Sequence, residues 1–211
     1  GLEVGPKLDI DDTAQGAGIT ATLMAGVDVA IEFSQPDAVL ANIEAVAKTG
    51  TNLVVGTTGW TNQLSRVEHI VADSGIGLVY GANFSLGMNL FFEIVSHAAK
   101  VVGMVPRYEA YLHEEHHSAK KDAPSGTALS LLDALRPHLS NPNPSVTCVR
   151  AGRIPGTHVI GFDSEADTIL LEHRARSRRG FAEGAVLAAR WIAGKKGIYD
   201  FRKVFREIVG L

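Results

Sequence analysis

Residues 28–59 read DVAIEFSQPDAVLANIEAVAKTGTNLVVGTTG. The run opens with a compact apolar strand, 28–33, that stops at Ser34-Gln35-Pro36. Ser34 has the side chain of a helix cap, Pro36 suits a first helical turn, and Asp37 suits the positive end of a helix dipole. Val39, Ile43, Val46 and Ala47 then fall on one face of a helix ending at Gly50, a residue that accepts the left-handed turn closing a helix. A second strand, 52–55, runs straight into Gly56-Thr57-Thr58-Gly59. Strand, helix and strand in this order imply a right-handed crossover between parallel strands.

The pattern repeats toward the C-terminus. Thr61 is placed to cap a helix with the apolar stripe Leu64, Val67, Ile70 and Val71, and 76–80 is another buried strand ending in Gly81-Ala82-Asn83-Phe84. The fold class is therefore α/β, with a Rossmann-like parallel sheet. Ligands of such sheets bind beyond the carboxyl ends of the strands, where SQPD, GTTG and GANF all lie. GTTG alone is more simply a strand-end turn, but three loops at one edge point to a nucleotide crevice. On the other side, the opening GLEVGPKLDIDD reads as a turn followed by a strand.

After Phe84 the pattern changes. A long helix over 86–102 carries Leu90, Phe91, Ile94, Val95 and Ala98 at helical spacing, and 107–112 reads as a strand. Ser125 caps a helix expected to reach about Leu139, with Pro137 near its end. From 146 to 177 the chain is mostly strand-like, and helix resumes from Phe181, with 199–209 closing the chain. A β-rich section joined to helices implies an α+β second domain with a mixed sheet. The expected domains are 1–84 with 179–211, and 85–178.

The 211 residues are 45% hydrophobic and 20% charged with a formal net charge of -3. That is enough chain to bury a core, with no charge excess drawing it to nucleic acid or an anionic membrane. No apolar run approaches the roughly 20 residues of a membrane span. The single cysteine, Cys148, fits a reducing, cytoplasmic compartment and reads as a half-buried strand residue.

Chemistry concentrates in residues 113–127, HEEHHSAKKDAPSGT. HEEHH matches H-E-x-x-H, in which two histidines on one helix face hold zinc beside a glutamate base. Here RYEAYL ahead of it alternates like a strand, and the residues through Pro124 cannot prolong a helix. Lys120 and Lys121 also oppose a dication, so no metal is expected. On extended backbone the adjacent His116 and His117 point to opposite sides. Lys120 adds a positive charge within one loop's reach, and Ser125-Gly126-Thr127 opens a helix whose free N–H groups attract an anion. Gly126 lets a ligand approach the backbone closely. Imidazole, ammonium and helix start together make a cavity for a carboxylate beside a proton donor. A solvated polar loop before a capped helix is the plainer reading of the same residues.

The run EEHHSAKKDAPSGTA resembles the signature E-x-H-H-x-x-K-x-D-A-P-S-G-T-A of the dihydrodipicolinate reductases. EFSQPDA, VVGTTGW, GANFSLGMNL, RAGRIPGTHVIGFDSEADTI and GFAEGAVLAARWIAGKKGIYDF resemble the same family in order and spacing, over nearly the whole chain. The resemblance implies an oxidoreductase of the diaminopimelate route of lysine biosynthesis. Such an enzyme reduces 4-hydroxy-tetrahydrodipicolinate, a cyclic dicarboxylate, by hydride transfer from NADH or NADPH. It implies His116 as proton donor and Lys120 as the second catalytic residue, holding a carboxylate. His117, Gly126 and Thr127, with Ser125 at the same helix start, become substrate contacts. Arg178 becomes a further site arginine, although Arg174, Arg176, Arg178 and Arg179 read equally well as a solvated strand edge. Gly56, Thr57 and Thr58, and Gly81, Ala82, Asn83 and Phe84, become cofactor contacts. The resemblance also implies a homotetramer assembled through the second domain's sheet, and domain closure with hinges near Phe84 and Arg178.

The family's glycine-rich G-x-x-G-x-M/L-G turn, which takes the cofactor pyrophosphate, has no counterpart in this sequence. The expectation is a missing leader of about thirty residues and weak dinucleotide binding. Leu8-Asp9-Ile10-Asp11 resembles the strand end whose acidic residue binds the adenosine ribose, with Asp9 the best match and Asp11 next. A carboxylate there without a neighbouring arginine leans toward NADH or dual use, although Lys7 is close. A zinc metallopeptidase built on HEEHH and a non-catalytic, dehydrogenase-like binding protein are the two rival readings.

Overall fold

The structure is a computed structural model that describes residues 2–211. Gly1, where the expected first turn begins, and the side chain of Ala14 lie outside the described residues. The chain divides into two compact units, one running to Phe84 and resuming at Glu183–Leu211, the other being Ser85–Ala182. The second boundary falls inside helix α6 (Arg179–Ile192), whereas the sequence placed it at that helix's start. Among the described residues no helix is long and apolar enough to cross a membrane.

In the first unit β1 (Val29–Glu32), β2 (Asn52–Val55), β3 (Gly77–Tyr80) and β8 (Gly197–Asp200) form a parallel sheet in the order β1-β2-β3-β8. Leu53, Val54, Val55, Leu78 and Val79 are fully enclosed, the continuous apolar run of strands covered on both faces. α2 (Val39–Lys48) and α3 (Leu64–Ser74) pack Val39, Ile43, Val46, Val67 and Val71 against Leu53, Val55 and Leu78.

Helix starts differ from the sequence reading. Ala38 and Val39 donate to the Gln35 carbonyl at 3.0 and 3.1 Å, so the turn closes there and α2 begins beyond the reach of Ser34. Ser34 caps nothing; its hydroxyl donates to the buried Glu32 carboxylate. Thr61 is no cap either, because it lies within a 3-10 turn, Thr61–Gln63, ahead of α3. Trp60 anchors that turn by donating to the Thr57 carbonyl at 2.8 Å. Gly50 does adopt the left-handed conformation, φ 75°, just past α2.

Residues 8–11 form no strand. Ile10–Thr13 is one helical turn, α1. The Asp9 N–H donates to the Asp12 carboxylate at 2.9 Å and the Asp9 carboxylate accepts from Ile10 N–H at 2.7 Å. Local carboxylates satisfy this backbone, which closes on itself. β8 was not foreseen within the closing segment. Its four residues are too few to show a period, and its last, Asp200, already caps α7 (Phe201–Val209).

The second unit is a mixed sheet in the order β5-β4-β6-β7. β4 (Glu109–His116) pairs parallel with β5 (Ser145–Arg150) and antiparallel with β6 (Thr157–Asp163), which pairs antiparallel with β7 (Thr168–Arg174). α4 (Leu86–Val102) and α5 (Gly126–Leu135) cover one face. Phe91, Phe92, Val95, Leu131 and Leu135 pack there on Leu112, Ile160 and Phe162. α5 stops short of the expected Leu139, because Pro137 has no N–H to continue it and a 3-10 turn, Arg136–His138, follows.

β4 extends beyond the expected 107–112 to take in HEEH. Strand alternation puts Ala110, Leu112, Glu114 and His116 on the helix-covered face. The register aligns Cys148, Glu114, His158 and His173 in one rung, with His116 opposite Arg150 beside it. An apolar sheet face thus turns polar at one end.

Candidate functional site

Glu114 is wholly enclosed. Burial pushes its carboxyl up, but hydrogen bonds from Ser125, Arg150 and Cys148 more than reverse this and hold it down to about 2. One carboxylate oxygen accepts from Ser125 N–H at 3.0 Å and Arg150 Nη2 at 2.6 Å, and the other accepts from the Ser125 hydroxyl. Ser125 Oγ also accepts from Ala128 N–H at 3.1 Å, so it caps α5 as the sequence indicated.

His116 Nδ1 and His158 Nε2 stand 3.6 and 3.7 Å from Glu114 Oε2. The two rings lie 5.2 Å apart, close to perpendicular. Burial lowers the His116 pKa; Glu114 opposes that, while Lys120 and Arg150 add to it. His158 is pushed down to about 4, chiefly by burial and then by His116, against Glu114. It is therefore a neutral core histidine near neutral pH.

This gives the second unit an acid-sensitive core. An unfolded histidine protonates around 6.5 and His158 only around 4, so in that window the unfolded chain binds the extra proton. Stability contributed by the neutral ring is complete above the window and lost as pH falls through it. The denaturation midpoint followed by circular dichroism is expected to drop across this window, and His158→Gln to flatten the slope. An unchanged slope in the variant refutes the assignment.

Lys120 Nζ lies 2.7 Å from Asp122 Oδ1. That carboxyl is held below its usual range, first by the Lys120 hydrogen bond and further by accepting from Gly126 N–H. An internal carboxylate therefore engages the ammonium just ahead of the α5 start. A Cβ built on Gly126 would meet nothing within 4 Å, so the approach to this helix end is open.

A cavity of about 550 Å³ lies alongside, walled in part by His117, Arg153 and Arg178. It joins His117 to Arg178, whereas His116, Lys120, Ser125, Gly126 and Thr127 are not among its walls. Hydrogen bonds from Ala151 N–H to the His116 carbonyl, 2.9 Å, and from Ser118 N–H to the Gly152 carbonyl, 3.2 Å, tie the two rims together. Arg153 was missed by the sequence reading; its only signal was the cation closing RAGR. Arg150 and His158 were missed because each sits in a run read only as strand, and Glu114 was read only as the glutamate of the H-E-x-x-H pattern.

In the first unit Gly56 and Gly81 follow β2 and β3 at the carboxyl edge of the sheet, with N–H bonds to the Glu32 and Val55 carbonyls at 2.8 and 3.2 Å. Thr57 is buried and its hydroxyl has no protein partner, while Thr58 and Ala82 are exposed. Phe84 is enclosed, its ring 4.4 Å from Phe201, and Phe33, at 51% exposure, is the open aromatic ring of this edge. Phe33 lies on Gly56 so closely that an added Cβ would come 2.2 Å from its ring. An orphaned hydroxyl, glycine turns and an open ring fit the nicotinamide part of a dinucleotide. Asp9 is exposed just ahead of α1 with its carboxylate on the adjoining backbone, and among the described residues no glycine-rich strand-to-helix turn precedes β1.

HEEHH offers no zincin geometry, since it lies on β4 and His113 bonds Thr147 Oγ1 at 2.8 Å. Among the described residues, only Glu114, His116 and His158 bring metal-ligating atoms close together. Their carboxylate is already matched by Arg150 and Ser125, so a dication would have to displace a guanidinium.

Two family models match the chain in order. Dihydrodipicolinate reductase, N-terminus, covers residues 7–84, and Dihydrodipicolinate reductase, C-terminus, covers residues 87–205. The 4-hydroxy-tetrahydrodipicolinate reductase of Christiangramia forsetii is 34% identical over 193 residues, 86% of this chain and 81% of its own length. That of an Anaeromyxobacter species is 39% identical over 204 residues, 87% of this chain and 75% of its own length. Among solved structures, a dipicolinate-bound dihydrodipicolinate reductase from a Paenisporosarcina species shares the fold, with TM-score 0.70 at 20% identity over 95% of this chain and 87% of that one. Matched in both halves and at such identity to its relatives, the chain belongs to the dihydrodipicolinate reductase family.

Proposed function

We propose that this chain reduces 4-hydroxy-tetrahydrodipicolinate or dihydrodipicolinate to tetrahydrodipicolinate with His116 as proton donor and Lys120 as carboxylate anchor. As a member of its family it is a pyridine-nucleotide-dependent reductase of lysine biosynthesis. One observation carries the assignment of roles: Lys120 already holds one carboxylate, that of Asp122, on the loop leading into the α5 start. A substrate carboxylate takes Lys120 in its place and reaches the open N–H groups of the α5 start beside it. His117, Arg153 and Arg178 give the ring's second carboxylate a cationic wall, with Thr127 beside the helix start.

A bound reduced nicotinamide supplies the hydride, and Gly56, Thr57, Thr58 and the turn Gly81, Ala82, Asn83 and Phe84 would hold it. His116 carries the proton that completes the reduction. Lys120 keeps its charge against the carboxylate throughout. The first unit is the cofactor domain and the second the substrate domain, with NADH or NADPH as the reductant. The sheet face opposite α4 and α5, where Leu170 is 58% and Val149 39% exposed, is the surface for a homotetramer. The biosynthetic role and the lone free cysteine support a cytoplasmic enzyme.

The test is oxidation of NADH and of NADPH by the full chain with the dicarboxylate substrate. Lys120→Ala is expected to lower kcat/KM by about 10²-fold, and pyridine-2,6-dicarboxylate, the ligand of the solved relative, to compete with substrate. A Lys120→Ala enzyme with wild-type kcat/KM sinks the anchor.

A further inference from the structure

We infer that Glu114 is a positioning residue that fixes which nitrogen of His116 carries the transferable proton, while the same carboxylate holds the start of α5. The inference rests on the reading of His116 as proton donor. Glu114 is fully enclosed, and its two oxygens take the Ser125 N–H, the Ser125 hydroxyl and the Arg150 guanidinium. His116 Nδ1, itself buried and without a hydrogen-bond partner, faces Oε2 at 3.6 Å. That is a charge contact rather than a hydrogen bond.

An ionised carboxylate only accepts. A bare Nδ1 lone pair turned toward it would be repelled, whereas an Nδ1–H is attracted. Neutral His116 therefore carries its hydrogen on Nδ1, the reverse of the form a free histidine side chain favours in water. The imidazolium carries both hydrogens, and the one it gives up is on Nε2. The Nε2 edge runs along Gly156, where an added Cβ would stand 3.3 Å from that atom, so the ring's donating side borders a residue with no side chain. Glu114 thus aims the proton away from the core.

The charged and titratable groups facing His116 are Glu114 on β4, Lys120 and Asp122 on the following loop, Arg150 on β5 and His158 on β6. Lys120 and Arg150 oppose the imidazolium, and Glu114 is the leading group that favours it. The same carboxylate ties Ser125, and so the α5 N–H groups, to the strand bearing His116. Proton donor and carboxylate site share one buried anchor.

The first test uses the unmodified full chain, with histidine ¹⁵N resonances assigned by their loss in His116→Gln. Above the ionisation of His116, Nδ1 is expected to show the protonated and Nε2 the unprotonated shift. The opposite tautomer overturns the inference without requiring a variant that folds. In Glu114→Gln the His116 titration midpoint is expected to fall by about one pH unit. A folded variant with an unmoved midpoint also overturns it. Turnover of His116→Gln tests the donor reading separately, since tautomer and midpoint report on Glu114 whether or not His116 donates.

Discussion

His116→Gln is expected to lower kcat by about 10²- to 10⁴-fold while binding of pyridine-2,6-dicarboxylate persists. Glutamine keeps the size and a polar tip, so the enclosed position stays filled, but it has no proton to transfer near neutrality. At 7% exposure the position leaves little room for water to take over. Lys120 and the α5 start, proposed to hold the substrate carboxylate, are untouched by the change, so KM is expected to move less than kcat. The acid form is the working one, hence kcat/KM falls as pH rises through the His116 ionisation. Burial sets that ionisation below the ordinary histidine range in the free enzyme, and the alkaline limb disappears in the variant. Steady-state nucleotide oxidation across pH, with calorimetry for the dicarboxylate, checks both parts. A variant with wild-type kcat ends the assignment of His116.

The middle of the parallel sheet was legible because β2 and β3 are buried on both faces, so Leu53–Val55 and Leu78–Val79 stand out as unbroken apolar runs. Helix starts were not, since capping chemistry names candidates without saying where the first turn closes. Ser34 and Thr61 have the right side chains, yet the turn at 35–38 and the 3-10 turn Thr61–Gln63 move each helix start away from them. Ser125 succeeded because nothing intervenes between it and α5. Asp9 shows the reverse failure: an acidic run that looks like a strand end satisfies its own backbone and coils.

The candidate site divides in the same way. His116, Lys120 and the Ser125–Thr127 helix start are contiguous in sequence, and their residue types alone suggest a carboxylate beside a proton donor. The carboxylate that binds them together was legible only as the glutamate of a zincin-like pattern, not as their anchor. Glu114 is made buried and ionised by Arg150, 36 positions later on the neighbouring strand, and lies opposite His158 on another. Only strand register brings the three together, and register is a property of the folded sheet. The sign of a functional carboxylate was nevertheless present, as a charged residue at a position of β4 whose alternation partner, Leu112, is core.

Phe201→Ala is expected to destabilise the first unit by about 3–5 kcal/mol, the largest stability loss we anticipate from a single truncation. Phe201 is fully enclosed, with its ring 4.4 Å from Phe84 and 6.3 Å from Phe205. Two glycines also border it. A Cβ on Gly81 would come 2.9 Å from the Phe201 Cβ, and one on Gly184 would come 3.4 Å from its ring tip. Walls made of backbone cannot turn a rotamer to fill the space, so the cavity stays open and the cost lies toward the upper end. The loosened ring is Phe84, at the end of the turn proposed to hold the nicotinamide, so nucleotide affinity falls as well. Both tryptophans, Trp60 and Trp191, lie in the first unit, which makes their fluorescence a selective probe of its unfolding in urea. The fluorescence midpoint is expected to drop while dicarboxylate affinity, a property of the second unit, is retained. An unmoved midpoint refutes the packing argument; equal loss of both affinities refutes the division of labour between the units.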